Sequence, residues 1–205
     1  MMPAARESLL DAAYTALTRR PWSAVRMVDV AAAAGVSRQT LYNEFGSKEG
    51  LARALVRREA DGYLAGVERA LGTHRDARER LTATAEWTTA AARDNALVRA
   101  MLTGCWGERL PAPALSSVPS SSSVPAQRRA DGPLPTPGDF VAMVRDRAVA
   151  VLSGDAEDGG GELARSCELA VRLALSCVAA PPEDGEVGEL VRGALSAPSR
   201  TAAGR

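Results

Sequence analysis

Aromatic residues are scarce in this chain: Trp, Tyr and Phe together supply 4% of its 205 residues. Strands draw on aromatic and β-branched side chains, whereas Ala, Leu and Arg dominate here, so the composition favours helices over sheets. Histidine is scarcer still. The one histidine, His74, lies between Thr73 and Arg75 at an expected helix boundary, and no Ser–His–Asp or Cys–His pairing can be argued around it. Cys105, Cys167 and Cys177 are odd in number and widely spaced, with no C-x-x-C pair. That argues against a zinc site or a disulfide framework and leaves buried reduced thiols. No G-x-G-x-x-G follows an expected strand, and the GGG at 159–161 reads as a linker. Catalysis, a metal and a cofactor are therefore not expected. No apolar run is long enough to cross a bilayer, and MMPAARESLL lacks the pattern of a signal peptide. The expectation is a cytoplasmic protein without a membrane partner. Net charge is also missing: 25 basic residues balance 25 acidic ones. No global field draws the chain to nucleic acid, so any such affinity must come from a local patch.

Such a patch exists. Arg19, Arg20, Arg26, Arg38 and Lys48, the single lysine, surround the stretch VDVAAAAGVSRQTLYNEFGSKEGL from Val28 to Leu51. Val28 to Ala34 is alanine-rich and free of breakers, which predicts a helix of about two turns. Gly35 stands where a helix stops with a left-handed residue, and Ser37 can cap a second helix over Arg38–Phe45 that ends at Gly46. Two helices joined by a tight turn form a helix-turn-helix, whose second helix enters the DNA major groove. On the helical wheel Leu41 and Phe45 share one face, able to form a small core with Val30, Ala31 and Val36. Gln39, Thr40 and Asn43 lie opposite, flanked by Arg38 and Tyr42. These are groups that read base edges or hold phosphates.

The same residues resemble the DNA-binding segment of the TetR family of bacterial transcriptional regulators. The matching positions are Asp29, Val30, Ala31, Ala34, Gly35, Val36, Ser37, Thr40, Leu41, Tyr42, Phe45, Lys48, Glu49 and Leu51. The sequence departs at Arg26, where the family more often has Ser or Thr. There an arginine would hold a phosphate by charge instead of by a hydroxyl hydrogen bond. The resemblance implies an all-α regulator, a homodimer on a palindromic operator, repressing until a small-molecule effector tilts the connecting helix. It implies DNA contacts from Arg26, Ser37, Arg38, Gln39, Thr40, Tyr42, Asn43 and Lys48. A helical DNA-binding or interaction protein without a ligand-controlled switch is the alternative.

The rest of the chain reads as further helices. Ala5–Arg19 is amphipathic and Pro21 ends it, with Trp22 plugging the core between it and the motif. Ser47 caps a connecting helix from Lys48 to Leu71, so the DNA-binding domain is set at 1–47 and a ligand-binding and dimerisation domain at 48–205. Gly62 and Gly66 on that helix permit a close contact or a bend. Helices follow over Asp76–Arg93, and from a cap at Asp94 or Asn95. Residues 107–138 are rich in Pro and Ser and read as a flexible loop. A helix resumes at Asp139, DAEDGGG is a hinge, and two more helices span Glu162–Ala179 and Glu183–Ser196. The closing TAAGR is expected to be loose.

Trp87, Met101, Trp106, Phe140 and Met143 are large, adaptable side chains, and pockets for small molecules are mostly apolar. They are the candidate lining for an effector that is itself largely apolar. The helix Glu162–Ala179 is apolar around more of its surface than a monomer covers, and the last helix carries a clean apolar stripe. Val171, Leu175, Val187, Leu190, Val191 and Ala194 are the candidate dimer interface.

Overall fold

The structure is a computed structural model that describes residues 3–112, 134–153, 160–182 and 186–196. Every regular element among the described residues is helical. In chain order these are α1 (Pro3–Arg19), a short 3-10 turn (Trp22–Ala24), α2 (Met27–Ala33), α3 (Arg38–Phe45) and α4 (Lys48–Leu71). Then follow α5 (Ala77–Asp94), α6 (Ala96–Thr103), α7 (Pro137–Leu152), α8 (Gly160–Ala179) and α9 (Val187–Ser196). None of the described helices is long and apolar enough to cross a membrane.

The chain divides into two compact units. The first takes Met1–Asp61 with Gly104–Pro135, and the second takes Gly62–Thr103 with Thr136–Arg205. The division thus falls inside α4, between Asp61 and Gly62, and not at the 47/48 junction set from the sequence. The reason lies in the side chains of α4: Leu51, Leu55 and Val56 are fully buried in the first turns of that helix, which makes them part of the first unit's core.

In the first unit, α1 buries Leu9, Leu10, Ala13 and Leu17, the expected apolar face. Trp22 is buried as expected, and its backbone N–H donates to the Arg109 carbonyl at 2.8 Å. The motif is built by local rules. Gly35 takes φ 68° and Gly46 takes φ 70°, the left-handed region that favours glycine. Ser37 Oγ accepts the Thr40 N–H at 3.0 Å, and Ser47 Oγ accepts the Gly50 N–H at 3.1 Å. Each serine satisfies a free donor at the start of the helix that follows it.

The second unit is centred on α5, which packs against α6, α8 and α9. It buries Leu81, Ala85 and Ala92 together with Thr82, Thr84 and Thr88. Thr84 Oγ1 donates to the Arg80 carbonyl and Thr88 Oγ1 to the Thr84 carbonyl, each at 2.8 Å. Tyr63 of α4 meets Thr88 Oγ1 at 3.1 Å and stands edge-on to Phe140, with centroids 6.0 Å apart. Gly66 does permit a close contact: a Cβ there would collide with the Trp87 indole. Asn95, and not Asp94, caps α6, accepting the Leu97 N–H at 2.9 Å.

Several expectations change here. The loop ends before residue 138, because α7 starts at Pro137 and not at Asp139. Thr136 and Asp139 form a capping box around a proline at the first helical position, where its missing N–H costs nothing. Residues 113–133 of the expected loop, most of the expected hinge and the TAAGR end lie outside the described residues. So do 183–185 at the expected start of α9. Three of the six dimer candidates face inward: Val171, Val187 and Val191 are buried within their own unit. On α9, which packs against α5 and α8, Val187 and Val191 are covered by this chain itself. Leu190 stays outside, 47% exposed, and Leu175 and Ala194 are half-buried.

Candidate nucleic-acid interface

The α2–turn–α3 unit presents one face of α3 to solvent. Leu41 and Phe45 are buried, while Arg38, Gln39 and Asn43 are exposed and Thr40 and Tyr42 half-buried. The exposed groups are held. Gln39 Nε2 donates to Asn43 Oδ1 at 2.8 Å, one helical turn apart. The pair keeps the other Gln39 N–H, the Gln39 carbonyl and the Asn43 amide free to meet base edges. The Arg38 guanidinium lies over the Tyr42 ring, 5.4 Å from its centre. Ser37 and Thr40 share a hydroxyl–hydroxyl contact of 2.8 Å, so the cap and the first turn of α3 act as one polar cluster.

Two further cations stand at the ends of the motif. Lys48 Nζ donates to the Ser23 carbonyl at 3.0 Å and sits 5.6 Å over the Trp22 ring. Expected as a phosphate ligand, it also ties the start of α4 to the 3-10 turn. Arg26 occupies the N-cap position of α2 without capping it. Its Nε and one terminal nitrogen reach Asp29 at 3.1 and 3.0 Å, and Arg20 reaches the same carboxylate at 3.3 Å. The hydrogen bond from Arg26 holds the Asp29 carboxyl below the ordinary carboxylate range. The hydrogen bond to Asp29 raises the Arg26 guanidinium in return. Sequence reasoning passed over this cluster, although Arg26 and Asp29 stand three apart at a helix start, a spacing that brings side chains together. It also passed over Arg6, which covers the Phe45 ring at 4.8 Å and pairs with Glu44 at 3.5 Å.

Of the five effector-pocket candidates, Trp106 falls in the first unit and the other four in the second. Met101 and Phe140 are core residues. Trp87 donates its indole N–H to the Tyr63 carbonyl at 3.1 Å, with Arg69 over its ring. Met143 is half-buried, and Trp106 belongs to the other compact unit. Among the described residues of the second unit, a narrow seam between three helices has no room for a water molecule. It is lined by Leu81, Thr84, Ala85 and Thr88 of α5, Val144 and Ala148 of α7, and Ala170, Val171 and Ala174 of α8. Its only polar side chains, the two threonines, already donate to carbonyls of their own helix. Among the described residues no group of acidic, His or Cys side chains could hold a metal ion.

Residues 9–55 match the family described as "Bacterial regulatory proteins, tetR family". The HTH-type transcriptional regulator AlkX of Mycobacterium tuberculosis is 36% identical over 179 residues, spanning 87% of this chain and 76% of that protein. The HTH-type transcriptional activator FasR of Mycolicibacterium smegmatis is 41% identical over 81 residues, 40% of this chain and 37% of that protein. Among solved structures, the TetR family repressor AlkX of Dietzia, implicated in biodegradation of n-alkanes, covers 95% of this chain. The match takes in 91% of that chain, with a TM-score of 0.50 at 22% identity. A TetR/AcrR family regulator of Thermobifida fusca covers 95% of this chain and 98% of its own, with a TM-score of 0.58 at 16% identity. At such identities the likeness to the solved structures is one of fold.

Proposed function

The chain belongs to the TetR family of bacterial regulatory proteins and is a DNA-binding transcriptional regulator, and on that premise we propose that it is a homodimeric repressor released from a palindromic operator by a slender apolar effector. One observation carries the DNA reading: the exposed Gln39–Asn43 amide pair stands opposite the buried Leu41 and Phe45 on α3. In this reading Gln39 and Asn43 read bases. Arg26, Ser37, Arg38, Thr40, Tyr42 and Lys48 hold the backbone, since phosphate contacts position a protein and base contacts specify its site. A single such module reads few base pairs, so specificity calls for two copies on two half-sites. The outward faces of α8 and α9, with Leu169 42% and Leu190 47% exposed, support pairing through those helices.

The effector reading rests on the seam between α5, α7 and α8. Its walls are alkyl and its hydroxyls are spent, so it favours a chain of methylenes over a polar molecule. Being closed to water, it has to widen to admit a guest. A guest that prefers the widened state shifts the protein toward it, which is the requirement for a switch. The n-alkane context named for the Dietzia regulator is in keeping with such a guest.

The test is selection of bound fragments from genomic DNA, followed by transcription from a selected site. Repression is expected, with release on adding dodecane or a straight-chain fatty acid and none on adding a sugar of similar mass. Raised transcription would replace repressor by activator. Indifference to alkyl chains would remove the effector reading and leave DNA binding in place.

A further inference from the structure

We propose that Asp29 is a positioning residue for DNA binding: its carboxylate grips one edge of the Arg26 guanidinium so that the opposite edge is presented to a backbone phosphate. A guanidinium carries five N–H donors. Two of those on Arg26 point to Asp29 in the parallel fork typical of Arg–carboxylate pairs, at 3.1 and 3.0 Å. The remaining donors face solvent, and the side chain is 72% exposed. Arg20 donates to Oδ2 of the same carboxylate at 3.3 Å, so the grip is itself anchored. Asp29 also lies in the first turn of α2, where the helix dipole favours an anion.

The inference rests on the reading that Arg26 meets a phosphate. An exposed ion pair contributes little to folding stability, and a carboxylate near DNA opposes binding by repulsion. Its gain lies elsewhere. A long flexible side chain must be ordered to hold a phosphate, and one already ordered by Asp29 loses less freedom on binding. Simple charge and positioning therefore predict opposite signs for removal of the carboxylate.

The experiment measures affinity and its salt dependence for Asp29→Asn, Asp29→Glu, Arg26→Ala and the Asp29→Asn/Arg26→Ala double variant. The probes are a selected operator and a mixed-sequence duplex. Positioning predicts that Asp29→Asn weakens binding about three- to tenfold on both duplexes, although it removes a negative charge. The log–log salt slope should fall by less than the about one per protomer expected for Arg26→Ala, because Arg26 keeps its charge. Asp29→Glu should recover most of the affinity. In the Arg26→Ala background Asp29→Asn should tighten binding, because only the repulsion is then left to remove. A merely structural defect would weaken binding in both backgrounds and overturn the inference. If Asp29→Asn tightens binding while Arg26→Ala weakens it, Arg26 holds a phosphate without help and the inference fails alone. If Arg26→Ala changes nothing, the reading of Arg26 fails and takes the inference with it.

Discussion

The two units place polar side chains in opposite ways. In the first, cations stand outside and are steadied from below: Arg6 over Phe45, Arg38 over Tyr42, Lys48 over Trp22, and Arg26 with Arg20 on Asp29. In the second, Thr84, Thr88 and Tyr63 are buried and spend their hydroxyls on one another and on backbone carbonyls. The first arrangement holds exposed cations in place against rings and a carboxylate. The second is an interior in which the hydroxyls along the seam between α5, α7 and α8 are already spent.

The largest effect that would sharpen this contrast concerns the outside of the second unit. Among the described residues there, Leu190 is the most exposed large apolar side chain. A charge at that position should spare the monomer fold and forbid pairing, because burying an unpaired carboxylate is costly. Leu190→Glu is expected to give a folded monomer in sedimentation. Loss of the second half-site should cost about a hundredfold in operator affinity. A dimer with normal binding would move the interface to another surface.

The next effect separates the units by pH. Burial pushes the Tyr63 phenol from its ordinary 10.0 up to about 12. Between those values the unfolded chain has lost its phenolic proton while the folded chain keeps it. Stability is therefore fully present below pH 10 and falls as the pH rises toward 12, by up to about 2–3 kcal/mol. Burial also raises the Cys167 thiol from 9.0 to about 11, which adds loss of the same sign from a lower pH. Denaturant melts across this range should steepen in their pH dependence, and Tyr63→Phe should remove the part above pH 10. An unchanged slope in that variant would mean that the phenol titrates normally.

On the first unit the contrast is between reading and holding. Gln39→Ala should relax preference at one operator position at a cost of about 1–3 kcal/mol. Lys48→Ala should weaken binding to all sequences alike and lower the salt slope by about one per protomer. Because Lys48 also ties α4 to Ser23 and Trp22, a small fall in melting temperature should accompany it. Altered sequence preference in Lys48→Ala with none in Gln39→Ala would exchange their roles.

Legibility followed the same line. The limits of α3, its Ser37 cap and its Gly46 stop depend on neighbours within a few residues, and they were readable to the residue. The start of α7 is equally local, since Thr136, Pro137 and Asp139 carry the signature of a capping box, but these residues close a Pro-rich run whose composition reads as loop. Val171, Val187 and Val191 mark a different limit. An apolar stripe says that a face is buried without saying whether its own chain or another buries it. The seam was not readable at all. Four of its nine lining residues are Ala85, Ala148, Ala170 and Ala174, small residues brought together from three separate helices. Trp87, Met101 and Phe140 drew attention by size, yet large side chains fill space.

The smallest effect tests whether the second unit is closed to polar groups everywhere. Thr82 lies on the same helix as Thr84 and Thr88 and is 1% exposed, but its hydroxyl meets no partner. Its methyl side faces the backbone of Gly188 on α9, where a Cβ would come within 3.2 Å of Thr82 Cγ2. An unsatisfied buried hydroxyl costs the desolvation of that group, and an apolar replacement of the same shape recovers it. Thr82→Val should therefore raise stability by about 1 kcal/mol in denaturant melts. The same change at Thr88 should do the reverse, since it strips Tyr63 of its hydrogen-bond partner and leaves a buried phenol unpaired. The two variants are isosteric, on one helix, six residues apart, so helix propensity and size cancel between them. Opposite signs would establish that bonded hydroxyls, and not burial of threonine as such, keep the second unit closed. Equal losses would show instead that Thr82 is satisfied in solution by a group that moves to meet it.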